Sequence, residues 1–409
     1  MLLSPEKVGV IDLFRILIHT DVHKRYFVDS SKEGGESFKR TWIMFVSILA
    51  QKLQLLVAKP LSWSRSTIEF WLNLLSSNQN LRRLLVNFFS LSPSIFEWKV
   101  VMPDKESGSF LSIIGNLDKR VELDKSIRPV ISFYRADVIL GFYNFWNDYR
   151  GKAATQAFML RDRDTIMVAF RGTEPFNVDD WCSDIDLSWY ESPSVGKIHG
   201  GFMKALGLQK NLGWPKELDP RLKTPAPSLL GDHDDARYVL TGHSLGGALA
   251  ILFPAILAVH GETWLMDRLE GVYTFGQPRV GDEKFGQFME RVLKEHQIEY
   301  FRLVYANGIV PRLPYDNSSF LFKHYGSWCY FDSKSEGKIV QEEPNKNYFS
   351  PLQVIPMMMN AWYYYKEGFL LRIFRVVGQL GIPAHAPQDY VNATRLGGSQ
   401  LFLHQINHE

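Results

Sequence analysis

The chain has 409 residues, 45% of them hydrophobic, enough for one large core with additions rather than two equal domains. Lys plus Arg number 46 against 44 for Asp plus Glu, a net charge of +2 that gives no electrostatic footprint for nucleic acid. Two cysteines, Cys182 and Cys329, make no disulfide framework and fit a reducing, cytosol-facing location.

The N-terminus lacks the pattern of a cleaved signal, because Glu6, Asp12, Arg15 and Asp21 interrupt any apolar run. Residues 1–100 are expected to form an apolar, mostly helical region. Within it, 41–58 has about the minimum length for a membrane span but carries Gln51, Lys52 and Gln54 in its second half. Pro60 follows, and a second amphipathic arm runs through Ile68–Leu75 and Leu84–Phe89 with Arg82 and Arg83 between. Two apolar arms around a proline can dip into one leaflet or lie in the interface with their basic residues at the headgroups. The alternative is a helical cap over the rest of the protein. The expectation is attachment to a lipid-droplet (oil-body) surface or a cytosol-facing membrane, peripheral or hairpin-anchored.

A linker with Pro103, Gly108, Gly115 and Pro129 leads to a second region, 130–409, where strands alternate with helices. Gln156–Leu160 and Thr165–Phe170 flank Arg161-Asp-Arg-Asp164 and predict a hairpin. Tyr238-Val-Leu-Thr-Gly-His-Ser-Leu-Gly-Gly247 reads as a strand, a Gly-x-Ser-x-Gly turn and a small-residue helix start. Such a bend tolerates no side chain at either glycine and strains the middle residue, so the hydroxyl of Ser244 stands above the sheet. The N–H of Leu245 then points to where a negative oxygen would form. Val272–Phe275 and Tyr300–Tyr305 are further short strands, and the alternation predicts a mainly parallel sheet with helices on both faces. Pro215–Pro227 reads as a surface loop, and Met357–Val377 as an aromatic, Met-rich stretch more typical of core than of lipid contact. No zinc-type Cys/His spacing or phosphate loop occurs, and a serine nucleophile requires neither metal nor organic cofactor.

Four further segments share the order of a known family: Val168-Ala-Phe-Arg-Gly-Thr173, Lys197-Ile-His-Gly-Gly-Phe202, Tyr273-Thr-Phe-Gly-Gln-Pro-Arg-Val-Gly-Asp282 and Asn307-Gly-Ile-Val-Pro-Arg-Leu-Pro314. With the elbow, they resemble the class 3 (fungal-type) triacylglycerol lipases, and most closely the plant oil-body lipases, which also carry a long apolar N-terminal extension. The resemblance implies an α/β-hydrolase fold and hydrolysis of acylglycerol esters, with Ser244 as nucleophile. It implies that Thr173 and Leu245 hold the oxyanion, that 174–190 forms a lid, and that His199 is structural. Phospholipids or galactolipids are alternative substrates, since these motifs do not fix the head group.

The base of this fold follows the acid in sequence, which leaves His324, His385, His404 and His408. The segment Gly381-Ile-Pro-Ala-His-Ala-Pro-Gln-Asp-Tyr390 is similar to the catalytic histidine loop of the oil-body lipases and assigns the role to His385. The acid does not match. Where the family reads Asn-Asp-x-Val-Pro, this chain has Gly308, which has no side chain. Asp316 is the nearest carboxylate in sequence that could substitute. Otherwise the chain is a weak Ser–His enzyme, or an inactive relative that kept its lipid-binding surface.

Overall fold

A computed structural model describes residues 2–3, 8–18, 28–29, 41–52, 67, 70–71, 73–74, 77–78, 102, 138–147, 152–162, 164–172, 186–207, 236–306, 308–314, 316, 322–332, 335–341 and 385–406. The twelve strands among them are β1 (Leu2–Leu3), β2 (Val28–Asp29), β3 (Val138–Asn147), β4 (Lys152–Asp162), β5 (Thr165–Phe170), β6 (Trp189–Ser192), β7 (Gly196–His199), β8 (Arg237–His243), β9 (Leu269–Phe275), β10 (Glu299–Tyr305), β11 (Trp328–Phe331) and β12 (Gly337–Val340).

Eight of these form one sheet in the order β12-β11-β10-β9-β8-β5-β4-β3. The five central strands from β5 to β11 are parallel, and antiparallel β3, β4 and β12 close the two edges. β4 and β5 form the hairpin expected around Arg161–Asp164, with Asp162 opposite Thr165. The central strands are apolar on both faces because both are covered, as a parallel sheet requires. One face packs on the helix Leu245–His260, where Ala248, Ala250, Ile251 and Leu252 have no solvent exposure. On the other, Leu303, Tyr305, Cys329 and Phe331 meet Tyr390 and Ala393 of the C-terminal helix Pro387–Ile406. With a nucleophile-bearing turn after β8 and a histidine loop near the C-terminus, this is the α/β-hydrolase arrangement.

Near the N-terminus, the helix Val10–Ile18 and the helix at 41–52 bury Leu13, Ile16, Ile43, Met44 and Ile48 in a cluster with Trp189 and Phe322. Ser47 fastens this contact by accepting hydrogen bonds from the Leu187 amide at 3.0 Å and Gln51 Nε2 at 3.1 Å. These two helices therefore pack against the sheet domain. The join expected between 1–100 and 130–409 lies almost wholly outside the described residues, as do 215–227 and 357–377.

Residues 186–190 correct the lid expectation. Trp189 and Tyr190 belong to β6, paired with β7. Trp189 is buried under the N-terminal helices, so this end of the segment is a fixed hairpin; residues 174–185 lie outside the described ones.

Candidate active site

The turn after β8 is built by glycines that admit no Cβ. At Gly242 a Cβ would stand 2.2 Å from the carbonyl of Gly246, and at Gly246 it would stand 2.2 Å from the carbonyl oxygen of Phe170. At Gly172 it would lie 2.4 Å from the His243 carbonyl oxygen. The ends of β5 and β8 and the helix start thus touch backbone to backbone. Between them, Ser244 is held at φ 59°, ψ −126°, a conformation that costs a non-glycine residue about 1–3 kcal/mol.

Ser244 precedes the helix Leu245–His260 but makes no side-chain capping bond to it, so its hydroxyl is not committed to the helix. Its own N–H donates to the Phe275 carbonyl at 2.9 Å, tying the turn to the end of β9. The amide of Leu245 is the first of that helix and has no acceptor within it. The helix terminus also favours negative charge at this point. Thr173, the other expected oxyanion donor, lies outside the described residues, although Gly172 beside it packs against the elbow with its Cβ direction 3.6 Å from Ser244 Cβ.

His385 reaches the same place from the far end of the chain. Its ring stacks on His243 with centroids 4.5 Å apart, and its backbone carbonyl accepts a hydrogen bond from His243 Nε2 at 2.8 Å. The edge carrying Cε1 and Nδ1 faces Gly276, immediately after β9, where a Cβ would lie 2.6 Å and 2.7 Å from those atoms. Gly276 holds φ +61°, so glycine is required there for conformation and for space. The structure brings the neighbourhoods of residues 244 and 385 together through His243 and the Phe275–Gly276 bend.

Both nitrogens of the buried His385 ring lack a hydrogen-bond partner among the described residues. Burial, then the adjacent His243, lowers its pKa well below the ordinary histidine value. The ring is neutral at pH 7 and free to take a proton, and no carboxylate is among the groups that shift it. Burial likewise lowers His243, to about 4.

The acid position departs from the family pattern in structure as in sequence. The Gly308 amide donates to the Tyr305 carbonyl at 3.1 Å, and the Gly308 carbonyl accepts from the fully buried Arg312, which also donates to the Ala306 carbonyl at 3.2 Å. Asp316 is half-buried beyond the short 3-10 turn Val310–Arg312 and makes no hydrogen bond to His385. Arg279 of the Gly-Gln-Pro-Arg segment donates to the carbonyls of Arg312 and Pro314, lashing the loop after β9 to the loop after β10.

Two further histidines, His199 and His324, have structural partners. His199 is fully buried and lowered to about 3 by burial. Its Nδ1 accepts the Phe202 amide at 3.4 Å, capping the helix Gly200–Leu206. His324 Nε2 binds the Pro311 carbonyl at 2.5 Å. His404 is described only as backbone of the C-terminal helix, and His408 lies outside the described residues. Sequence reasoning missed His243, Gly276, Arg312 and Tyr390, which line this place; the local signal for His243 was its position within the elbow itself.

The profile of the family "Lipase (class 3)" matches residues 167–318, from β5 through the elbow to the loop after β10. Triacylglycerol lipase OBL1 of Nicotiana tabacum is 36% identical over 491 aligned positions, covering 89% of this chain and 85% of that protein. The protein of the same name from Arabidopsis thaliana is 34% identical and covers 97% of this chain and 94% of its own length. Among solved structures, the Rhizomucor miehei lipase propeptide complex overlaps 49% of this chain and 58% of its own at 28% identity, with a TM-score of 0.38.

Proposed function

The chain belongs to the class 3 lipases, and we propose that it is a serine ester hydrolase releasing fatty acids from acylglycerols at a lipid surface. The observation that carries this reading is the strained, uncapped Ser244 immediately after His243, on whose ring the buried, neutral imidazole of His385, unpartnered among the described residues, stacks. His385 Nε2 takes the Ser244 hydroxyl proton as Oγ attacks the ester carbonyl. The oxyanion is held by the amide of Leu245 and by the amide and hydroxyl of Thr173. Collapse breaks the ester bond, and the imidazolium returns its proton to the departing glycerol oxygen. Water, deprotonated by His385, then releases the fatty acid and restores Ser244.

The vacant acid position supports slow turnover. A carboxylate there holds the useful tautomer and stabilises the imidazolium, and its loss in a triad lowers kcat by about 10⁴-fold. The decisive test is hydrolysis of emulsified triacylglycerol and of p-nitrophenyl esters by purified protein, with phospholipid and galactolipid esters for comparison. Ser244→Ala abolishes turnover on this reading; unchanged turnover would refute it.

The site of action in this proposal is a lipid-droplet surface or a cytosol-facing membrane, reached through residues 41–90. Support comes from aromatic side chains left in solvent there: Trp42 is 48% exposed, Phe70 40% and Trp71 53%. Such rings favour the membrane–water boundary. A chain lacking 41–90 is expected to stay in the soluble fraction on flotation, and continued flotation with droplets would overturn the assignment.

A further inference from the structure

An active His385 needs its proton on Nδ1, so that Nε2 is free to take the proton of Ser244. That Nδ1–H is buried, with no hydrogen-bond partner among the described residues, and the family's usual acceptor is missing at Gly308. A buried donor without an acceptor is costly, and it also leaves the tautomer unspecified.

The groups around the ring narrow the choice of acceptor. His243 is stacked on the imidazole at 28°, and ring nitrogens bond in the plane of the ring, so stacked rings cannot bond to each other. Among the described residues, the Tyr390 hydroxyl is a polar atom close to the edge that carries Nδ1. A Cβ at Gly276 would lie 2.7 Å from His385 Nδ1 and 2.7 Å from Tyr390 Oη, so the two are at most 5.4 Å apart. The rings meet edge to face at 87°, with centroids 6.2 Å apart.

Tyr390 is 2% exposed and packs edge-on against Phe275, Tyr305 and His243. It stands on the first turn of the C-terminal helix, five residues after His385, so base and phenol travel on one short piece of chain. Burial raises the phenol well above its ordinary value, opposed first by a hydrogen bond with the Tyr305 backbone and then by the charge of Arg312, and reinforced by Asp389. It is therefore a neutral hydroxyl at working pH. The same Arg312 binds the Gly308 carbonyl, which links the phenol to the vacant acid position.

We propose that the Tyr390 hydroxyl accepts the hydrogen bond of His385 Nδ1–H in the working enzyme, making Tyr390 a positioning residue that replaces the absent carboxylate. The inference rests on the hydrolase reading above. A small ring rotation closes the gap, since catalytic hydrogen bonds are often long before substrate binds. A neutral oxygen fixes the tautomer, but it stabilises the imidazolium less than a carboxylate does. Gly276 is then the residue that keeps the path between imidazole and phenol open.

The test compares Tyr390→Phe in the native chain and in a Gly308→Asp background, on a soluble p-nitrophenyl ester. In the native chain kcat falls about 10-fold with KM unchanged, the value of one hydrogen bond to a reacting group. In the Gly308→Asp background the same change costs less than about two-fold, because the carboxylate takes Nδ1–H. A fall below two-fold in the native chain, or equal falls in both, overturns the proposal. A second reading independent of turnover uses ¹⁵N-histidine NMR of the Ser244→Ala protein. Its His385 Nδ1–H resonance moves upfield in Tyr390→Phe, and an unmoved resonance overturns the assignment. Absence of Ser244-dependent turnover in the native chain sinks the hydrolase reading instead, which is a separate outcome.

Discussion

Restoring a carboxylate by Gly308→Asp tests how far the vacant acid position limits this enzyme. The ceiling is the roughly 10⁴-fold that separates a triad with its acid from one without it. The structure lowers that ceiling in one identifiable way. Arg312, which already donates to the Gly308 and Ala306 carbonyls, competes with His385 for the new charge. A carboxylate about 4 Å from the imidazolium is worth about 4 kcal/mol at an effective dielectric near 20. If Arg312 takes half of that, about 2 kcal/mol remains, a rise of roughly 30-fold in kcat/KM. The sign with pH follows. Among the described residues no acidic group offsets the burial that keeps the His385 pKa well below ordinary, so the native acid limb lies well below pH 6.5. The new carboxylate favours the imidazolium and moves that limb upward by between one and three units, roughly, at 1.36 kcal/mol per unit. The assay is kcat/KM for a soluble ester from pH 4 to pH 8, native against variant. An unchanged rate together with an unmoved limb would mean that the base does not sense residue 308, and the reasoning would be wrong.

Gly246→Ala drives a methyl to 2.2 Å from the Phe170 carbonyl oxygen, and main chain on both sides cannot yield cheaply. A stability loss of about 3 kcal/mol with loss of turnover is expected in urea unfolding. Gly261→Ala, with open space but φ +71°, serves as the control and costs only about 1 kcal/mol. Acid is expected to destabilise the fold through its neutral buried histidines. For His199, about 3 when folded and 6.5 when free, stability is complete above pH 6.5 and is lost as pH falls toward 3. At pH 5 this one residue accounts for about 2 kcal/mol. Urea midpoints at pH 7.5 and pH 5.0 check it. His199→Asn, which keeps a capping side chain, should shrink the difference between them, and an unchanged difference would refute the assignment.

The elbow was legible because its constraints are local. Gly242, Ser244 and Gly246 meet within one turn, so their spacing alone carries the geometry. The β4–β5 hairpin was legible for the same reason: Asp162 pairs with Thr165 across a two-residue gap. The acid gap was visible as a single letter at Gly308. Contacts between distant segments were not. Nothing in the spacing places Tyr390 beside Gly276, or His243 under the carbonyl of His385, because these contacts form only when the C-terminal helix lies across β10 and β11. The lid expectation over-reached for a similar reason. Trp189 looks like an apolar flap residue in sequence, and its burial depends on helices some 140 positions earlier.

The N-terminal helix at 41–52 shows where periodicity stops being informative. An apolar stripe at helical spacing announces a face to be covered, without naming lipid or protein as the cover. Here Ile43, Met44 and Ile48 are covered by Val8, Leu13, Ile16, Trp189 and Phe322. Inserting that face into a bilayer would return those partners to water, at about 1.5–3 kcal/mol for each large side chain uncovered. It would also break the bond from the Leu187 amide to Ser47. No helix among the described residues is long and apolar enough to cross a membrane. Surface attachment, as proposed, therefore draws on the outward aromatics Trp42, Phe70 and Trp71 and leaves the packed face in place. Anchoring and the active site then rest on one framework, because the strand that carries Trp189 pairs with the strand that ends at His199. On the proposed attachment, a lipid contact at Trp42 would reach the domain that holds Ser244 through the packed face of the helix at 41–52.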